Sequence, residues 1–220
     1  MPAWWRRKPR VPELPEAPAF VQAYLDLWRG GWPEPAGFTV LDLETSGLVR
    51  EGARILSFAL LRIEDGVLRF GDLFEGTLRD PGGEDLTAVE IHQVVRSEVA
   101  AGVEPGEFAR RSLALLGTDR IVGHHISFDK ACLDRFFAAR YGFTLLNEVV
   151  DTGQLAARLR DPVLGGFQGR ERPLQSLDVL ARAYGITPEA RHSASGDVLT
   201  TALLFLKLHK AAQRRGIRRL

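Results

Sequence analysis

Two carboxylates stand two residues apart near the end of an apolar run. Asp42 and Glu44 lie in the segment 38–44, which is rich in β-forming residues and is followed by Thr-Ser-Gly. Side chains at i and i+2 of a strand point to the same face, and two acids on a buried face repel each other. A divalent cation between them would remove that cost, whereas an edge strand would leave them solvated. The position before a turn favours the cation, because open α/β sheets bind ligands at the carboxyl ends of their strands.

A third acid, Asp129, follows the short apolar run 121–123 and a polar loop. Ser127 is predicted to be an N-cap, which would place Asp129 in the first turn of a helix. An acid in that position also offsets the helix dipole, so this motif alone leaves a functional and a purely structural interpretation open.

A fourth acid, Asp197, begins a predicted amphipathic helix, and His192 stands in the loop before it. The inner face of this helix is formed by Ala194, Val198, Thr201, Ala202, Phe205 and Leu208. A histidine in a loop is usually a surface residue. Beside a metal-bound water it becomes a general base, because its unperturbed pKa of ~6.5 lets it accept a proton near neutrality.

Four acids and one histidine at the edge of an α/β core match the needs of phosphodiester hydrolysis. That reaction requires an activated water and stabilisation of charge on the attacking and leaving oxygens, and two divalent cations ~3.5–4 Å apart supply both. Carboxylate ligands suit Mg²⁺ or Mn²⁺ better than zinc. The sequence therefore predicts a two-cation site at Asp42, Glu44, Asp129 and Asp197.

The elements that must position these side chains follow from hydrophobic periodicity and turn residues. A β-meander is predicted first, with the Asp-Gly pair at 65–66 as a hairpin turn, and helices then alternate with strands. Such an order indicates an α/β domain with a mixed sheet flanked by helices. The predicted strands are 38–44, 55–63, 67–78, 120–123 and 148–150, and the predicted helices are 17–28, 107–116, 128–141, 152–160, 174–184 and 194–211.

Composition excludes several protein classes. The 220 residues are 45% hydrophobic and 26% charged, as in an ordinary globular protein. No apolar run approaches the ~20 residues that cross a bilayer, so no membrane partner is expected. A single cysteine, Cys132, excludes an internal disulfide and fits a reducing cytoplasm, and it is interpreted as a buried helix residue.

Charge and proline divide the chain into three parts. Residues 1–36 hold seven of the twelve prolines and one helical segment, and are interpreted as an N-terminal arm. The main domain is predicted for 37–212, and 213–220 form a basic tail. Residues 1–10 carry four bases and residues 207–220 carry six, without any acid, while the centre is net acidic. Basic ends could grip a polyanion or could only keep the protein soluble, and both interpretations stay open.

The chain resembles the DEDDh exonucleases, relatives of the proofreading epsilon subunit of bacterial replicative polymerases. The resemblance covers about residues 38–210. It rests on Asp42-Leu43-Glu44-Thr45-Ser46-Gly47-Leu48, Ile91-His92, Phe128-Asp129, Val150-Asp151-Thr152, and Arg191-His192 through Asp197. It implies an RNase H-like fold with a five-stranded mixed β-sheet, three strands antiparallel and two parallel.

The resemblance also implies roles for individual residues. Asp42 would bridge both metals, Glu44 and Asp197 would complete the site of the nucleophilic water, and Asp129 would help to hold the second metal. His192 would take the proton from that water, and Asp151 would support the site. The residues expected to contact the terminal nucleotide are Thr45, Ser46, Leu48, His92 and Phe128.

Two departures from the family pattern stand out. His125 occupies a position where relatives commonly have asparagine. The long tail by which a proofreading subunit holds its polymerase has no counterpart, so a free-standing nuclease is expected. The predicted activity is 3′→5′ hydrolysis of single-stranded DNA ends to nucleoside 5′-monophosphates. RNA trimming by the same site and a non-catalytic nucleic-acid-binding module are the alternatives.

Overall fold

The fold centres on a five-stranded mixed sheet. The computed structural model describes residues 9–47, 52–79, 102–160, 175–188 and 193–217. Its strands are β1 (Phe38–Thr45), β2 (Ile55–Glu64), β3 (Val67–Thr77), β4 (Arg120–Gly123) and β5 (Val149–Asp151). The spatial order is β3-β2-β1-β4-β5, with β1–β2 and β2–β3 antiparallel and β1–β4 and β4–β5 parallel. This arrangement confirms the predicted RNase H-like α/β fold.

Six helices cover the two faces of the sheet within the described residues. They are α1 (Ala19–Arg29), α2 (Pro105–Leu116), α3 (Ser127–Tyr141), α4 (Thr152–Arg160), α5 (Leu177–Ala183) and α6 (Ala194–Arg214). Leu41 and Leu43 pack with α1, α2 and α3 in one apolar cluster. Val40, on the opposite face of β1, packs with α4, α5 and α6 in a second cluster. Because successive side chains of β1 point to opposite faces, the strand contributes alternate residues to each of the two cores.

The hairpin turn between β2 and β3 forms where the Asp-Gly pair predicts it. Asp65 and Gly66 both have positive φ, at 52° and 75°. Two such residues in succession form the tight turn whose twist matches antiparallel strands, and Asp and Gly tolerate that conformation best. The hairpin thereby fixes β3 as a neighbour of β2 rather than of β1.

The N-terminal arm contacts the sheet domain through α1. Tyr24 is 2% exposed and donates a hydrogen bond to Asn147 Oδ1 at 2.7 Å. Its hydroxyl oxygen also accepts one from the Leu146 backbone N–H at 2.8 Å. Trp28 is buried beside it. This helix thus lies against the loop that precedes β5.

The start of α3 differs from the prediction by one residue. Ser127 is the first residue of α3 and Ile126 occupies the cap position without a side-chain hydrogen bond, so the predicted N-cap is wrong. Asp129 still falls in the first turn because the shift is one residue.

The longest described helix is α6, which contains the charged residues Asp197, Lys207 and Arg214. No described helix is long and apolar enough to cross a membrane.

Candidate active site

Three acidic side chains converge at the carboxyl end of β1. Oxygen atoms of Asp42, Glu44 and Asp197 all lie within 4.8 Å of one another. Asp42 and Glu44 are half-buried, while Asp197 is buried. The group joins β1 to α6, although Asp197 follows Glu44 by 153 positions in the chain. Such a group can hold a divalent cation, because carboxylate oxygens are the ligands that Mg²⁺ and Mn²⁺ prefer.

The strand and the helix dictate this convergence. Val40, Asp42 and Glu44 share one face of β1, and Val40 packs on the α6 side of the sheet. The first turn of α6 lies on the same side, where Ser193 Oγ accepts a hydrogen bond from Gly196 N–H and fixes the helix start. Asp197 is therefore presented to the two strand acids. The positive end of the helix dipole offsets part of their combined charge.

Asp129 approaches the same strand from the other helix layer. β1 pairs with β4 only from Phe38 to Val40, so the next part of β1 has no strand partner on that side. The Leu43 backbone N–H, which lies between the two strand acids in sequence, donates to Asp129 Oδ1 at 3.1 Å. An unpaired strand N–H is thus satisfied by a carboxylate. Asp129 does not belong to the group of acids within 4.8 Å. Its hydrogen bond with Leu43 nevertheless holds it against β1, the strand that carries Asp42 and Glu44.

The environment of Asp129 is unusual for a carboxyl group. The residue is 8% exposed, and burial raises its pKa to about 7. The backbone hydrogen bonds lower the pKa, while the charges of Glu44 and Asp151 raise it further. A carboxyl group that is costly to ionise in the metal-free protein gains most when a cation compensates its charge.

The loop between β4 and α3 is held from behind by β5 and α4. Asp151 is buried and accepts hydrogen bonds from Ile126 N–H at 3.1 Å and Gln154 N–H at 3.0 Å. Nδ1 of His124 lies 2.9 Å from Thr152 Oγ1, and its Nε2 donates to the carbonyl oxygen of Gln175 at 3.0 Å. These contacts fix the loop that leads into Asp129, which suits a supporting role for Asp151.

His125 differs from His124 in its exposure and in its backbone conformation. It is exposed and has a φ of 58°, an uncommon conformation outside glycine in which asparagine, aspartate and histidine are enriched. Its ring packs on that of His124, with centroids 4.4 Å apart. Gly123, at the end of β4, leaves little room for a side chain, since a Cβ atom there would lie 3.0 Å from Ile126 Cβ and closer still to its Cδ1.

The turn after β1 is organised by hydroxyl groups. The register with β2 shifts between Glu44 and Thr45, a β-bulge of the kind that often adjoins active sites. Thr45 is buried and its hydroxyl donates to the Gly47 carbonyl oxygen at 2.9 Å. Ser46 Oγ accepts a hydrogen bond from Arg54 N–H at 3.0 Å. Both side chains thus stabilise the conformation of the turn that follows Glu44.

The structure brings together Asp42, Glu44 and Asp197 and holds Asp129 against their strand. Phe128 is half-buried beside the first core cluster at the start of α3. Leu48, His92 and His192 lie outside the described residues, so their predicted contacts stay predictions.

Sequence reasoning missed His124. Its ring joins β4, α4 and the segment before α5, but the sequence offered only its place beside His125 and the separate Val-Asp-Thr motif at 150–152. Nothing in that spacing indicates that His124 and Thr152 meet. Their contact depends on the parallel pairing of β4 with β5, which brings Gly123 opposite Asp151.

The five-stranded mixed sheet with helices on both faces is the fold that the resemblance to the exonucleases implies. The family model described as Exonuclease matches residues 39–205, a span that contains all four acids. The chain belongs to this family, and its motifs are those of the DEDDh type.

Curated relatives include bacterial DNA polymerase III components. The DNA polymerase III subunit epsilon-like protein of Rhodobacter capsulatus is 34% identical over 184 residues, covering 82% of this chain and 25% of that protein. A DNA polymerase III PolC-type protein of Lacticaseibacillus paracasei is 28% identical over 180 residues, covering 80% of this chain and 12% of that protein. The chain thus spans a quarter or less of the length of these relatives.

Solved structures with the same fold include E. coli exonuclease I. A zinc-bound form of its complex with single-stranded DNA has a TM-score of 0.64 at 23% identity, covering 83% of this chain and 42% of that one. Its complex with a dT13 oligonucleotide has a TM-score of 0.59 at 21% identity, covering 82% and 42%. At this level of identity the likeness establishes the shared fold.

Proposed function

We propose that this protein is a 3′→5′ exonuclease that hydrolyses phosphodiester bonds at the 3′ ends of single-stranded nucleic acid and releases nucleoside 5′-monophosphates. The observation that carries the proposal is the group of three carboxylates within 4.8 Å at the carboxyl end of β1, in a chain of the exonuclease family. The fold likeness to an exonuclease that was solved with single-stranded DNA supports DNA as the substrate.

The four acids would hold two divalent cations, Mg²⁺ or Mn²⁺. Asp42, Glu44 and Asp197 offer oxygens close enough to share an ion, and like charges at this separation repel one another unless a cation intervenes. Asp129 stands beside Glu44 with a pKa raised to about 7, so its charge too is best accommodated by a cation. When bound, such ions supply an activated water and stabilise charge on the attacking and leaving oxygens.

His192 would take the proton from the attacking water. It directly precedes Ser193, the residue that caps α6, and it stands five positions before Asp197. A neutral imidazole at the metal-bound water would accept a proton near neutral pH, because its intrinsic pKa is ~6.5. The neighbouring acids would favour the resulting imidazolium.

The terminal nucleotide would lie in a pocket bordered by the turn after β1 and the start of α3. We assign Thr45, Ser46, Leu48, His92 and Phe128 to its walls. The hydrogen bonds of Thr45 and Ser46 support this assignment indirectly, since they hold the turn in one conformation beside Glu44. The same proposal assigns residues 1–36 to an arm, 37–212 to the exonuclease domain and 213–220 to a basic tail.

The test is degradation of matched 5′-labelled DNA and RNA strands with Mg²⁺ or Mn²⁺. Stepwise shortening from the 3′ end is expected, and EDTA should stop it. Asp42→Ala should lower the rate more than about 100-fold, beyond the ~10–100-fold typical of outer-shell metal residues. Asp72→Ala, at an exposed acid of β3, is the matched control.

The relative rates on the two strands decide between DNA and RNA as the preferred substrate. Full activity in Asp42→Ala would refute the cation site. If the wild type neither shortens any strand nor binds Mn²⁺ in calorimetry, the exonuclease proposal fails and a non-catalytic binding module remains.

A further inference from the structure

A basic cleft opens beside the carboxylate group, between the first residues of β2, the residues after β3 and one side of α3. Its volume is about 260 Å³, and its floor is formed largely by apolar side chains such as Phe136. Four arginines line it, namely Arg54, Arg79, Arg135 and Arg140. Among the residues that the structure describes, no acid lines the cleft. The chain nevertheless has 28 acids against 29 bases, so this concentration of positive charge is local.

Several of these guanidinium groups are held in place. Arg135 donates a hydrogen bond to the Ala53 carbonyl oxygen across the cleft. Arg140 lies over the ring of Phe136, with its Cζ 4.3 Å from the ring centroid. Arg79 pairs with Glu104, which stands outside the cleft, and its side chain remains 51% exposed. Arginine presents a planar set of donors that matches phosphate geometry, and a guanidinium already positioned loses less entropy on binding.

The cleft adjoins the proposed active site at one end. Two hydrogen bonds join Arg54 to Ser46. The Ser46 backbone N–H donates to the Arg54 carbonyl oxygen at 2.9 Å, and the Arg54 backbone N–H donates to Ser46 Oγ at 3.0 Å. Ser46 is two residues beyond Glu44. The arginine-lined wall is thus joined through Arg54 to a residue that lies two positions beyond Glu44.

The cleft then runs along α3, away from Asp129. Arg135 and Arg140 follow Asp129 by six and eleven positions, or roughly 9 and 16 Å at ~1.5 Å per residue. A stacked nucleic-acid strand advances ~3.4 Å per nucleotide, so these distances correspond to about three to five nucleotides. The volume is smaller than the ~300–1,000 Å³ of pockets that enclose a ligand, and it suits a backbone that passes across the surface.

We propose that this cleft binds the internucleotide phosphates of the substrate strand, about three to five nucleotides before its 3′ end. The inference rests on the proposed function, because it uses the carboxylate group as the position of that end. Four arginines on an apolar floor complement a chain of phosphates joined by sugars. Binding there would hold a long strand in the site and would favour strands over short fragments.

The experiment measures binding without hydrolysis, in EDTA, by fluorescence polarisation of 5′-labelled deoxythymidine strands of about 12 and about 3 nucleotides. The test variant is Arg79→Gln/Arg140→Gln, which changes two exposed side chains. The matched control is Arg69→Gln/Arg110→Gln, which removes the same charge from arginines with side chains 44% and 54% exposed, each paired with a glutamate. Thermal unfolding checks that both variants fold.

Loss of two phosphate contacts should weaken binding of the longer strand on the order of tenfold and lower the slope of log affinity against log salt by about 1.4. The control should bind like the wild type, and the shorter strand should not distinguish the variants. Equal affinity and slope in the two double variants would overturn the proposal. So would an equal effect on the shorter strand, or displacement of the strand by a polyglutamate peptide as effectively as by unlabelled strand.

Strand shortening by the wild type with Mn²⁺, measured separately, distinguishes the two proposals. A protein that degrades strands but shows no effect of Arg79 and Arg140 refutes only the cleft. A protein that degrades none refutes the proposed function and the position of the cleft relative to a 3′ end.

Discussion

At the scale of single residues, the site concentrates negative charge where water is partly excluded. Asp197 and Asp129 are each 8% exposed, and Asp42 and Glu44 share a strand face with Val40, which is fully buried. Ionised carboxylates in such positions lose hydration and repel one another. The arrangement therefore destabilises the metal-free protein relative to the protein with bound cations.

The first prediction is that divalent cations stabilise the wild type. A ligand that binds only the folded state at ~100 times its Kd adds ~2.7 kcal/mol, which corresponds to about 5–10 °C in Tm for a chain of this size. Asp42→Asn should lose most of this shift, whereas Asp72→Asn should keep it. Differential scanning fluorimetry with Mn²⁺ and with EDTA measures both. A shift of the same size in Asp42→Asn would exclude that residue as a ligand.

The second prediction concerns pH and Asp129. Its folded-state pKa of about 7 lies above the value of ~3.9 expected in the unfolded chain. The folded state binds the extra proton between those values, so the contribution of this residue to stability is complete below about pH 4 and is lost as pH rises through 7. Asp129→Asn has no such titration. In EDTA, the variant should therefore gain stability relative to the wild type between about pH 5 and pH 8.

Urea unfolding at both pH values measures this difference in free energy of unfolding. The expected change is on the order of a few kcal/mol at most, because each pKa unit corresponds to ~1.4 kcal/mol. Asp72→Asn controls for general charge effects, since that residue is exposed. A difference between wild type and Asp129→Asn that stays constant with pH would contradict the pKa and its cause.

At the scale of elements, the loop before α3 determines where Asp129 points. Asp151 accepts two backbone N–H groups, one from this loop and one from α4. His124 contacts Thr152 and Gln175 with its two ring nitrogens. The position of one catalytic candidate thus depends on β5 and α4, which themselves supply no acid to the carboxylate group.

The third prediction contrasts the two adjacent histidines of this loop. His124→Ala should cost about 1–2 kcal/mol of stability, because it removes the donor to the part-buried Gln175 carbonyl and one of the two contacts of the Thr152 hydroxyl, which keeps its bond to the Gly123 carbonyl. His125→Asn should change stability by less than about 0.5 kcal/mol, since its side chain is exposed and asparagine tolerates positive φ. Chemical unfolding of both variants provides the measurement. A larger loss in His125→Asn than in His124→Ala would show that the exposed ring carries the structural role.

At the scale of the whole molecule, the sheet separates two apolar cores that contribute differently to the site. The cluster on the α1–α3 side includes Leu41 and Leu43 and positions Asp129 through α3. The cluster on the α4–α6 side includes Val198 and Phe205 and positions Asp197. The group of carboxylates forms only where the two layers meet at the end of β1, so both cores must be intact for these acids to lie together.

The fourth prediction concerns attachment of the arm to these layers. Tyr24→Phe removes the hydroxyl that contacts Asn147 Oδ1 and Leu146 N–H, and should cost about 1–3 kcal/mol. Burial raises the pKa of Tyr24 above its usual value, in agreement with a desolvated hydroxyl. Tyr141→Phe, on a half-buried ring that packs edge-on against Phe20, is the control. Equal stability of Tyr24→Phe and Tyr141→Phe in urea unfolding would mean that these hydrogen bonds do not hold the arm.

Local patterns determined much of this protein. The strands, the helices and the Asp-Gly turn follow from periodicity and backbone preference, which act over a few residues. The same period of two that defines β1 sets Asp42 and Glu44 on one face. The first-turn positions of Asp129 and Asp197 were also predictable, although the cap before Asp129 was misplaced by one residue because cap preference is weak beside loop geometry.

Only the tertiary structure decided how these pieces meet. The contact of Asp197 with the strand acids, the hydrogen bond from Leu43 to Asp129, and the bond between His124 and Thr152 each join residues that are far apart in the chain. The four arginines of the cleft come from three places in the sequence with no shared motif, namely the segment before β2, the segment after β3, and α3. Such contacts depend on strand order and helix packing, and no local preference encodes them because the energy that selects them comes from burial across the whole sheet.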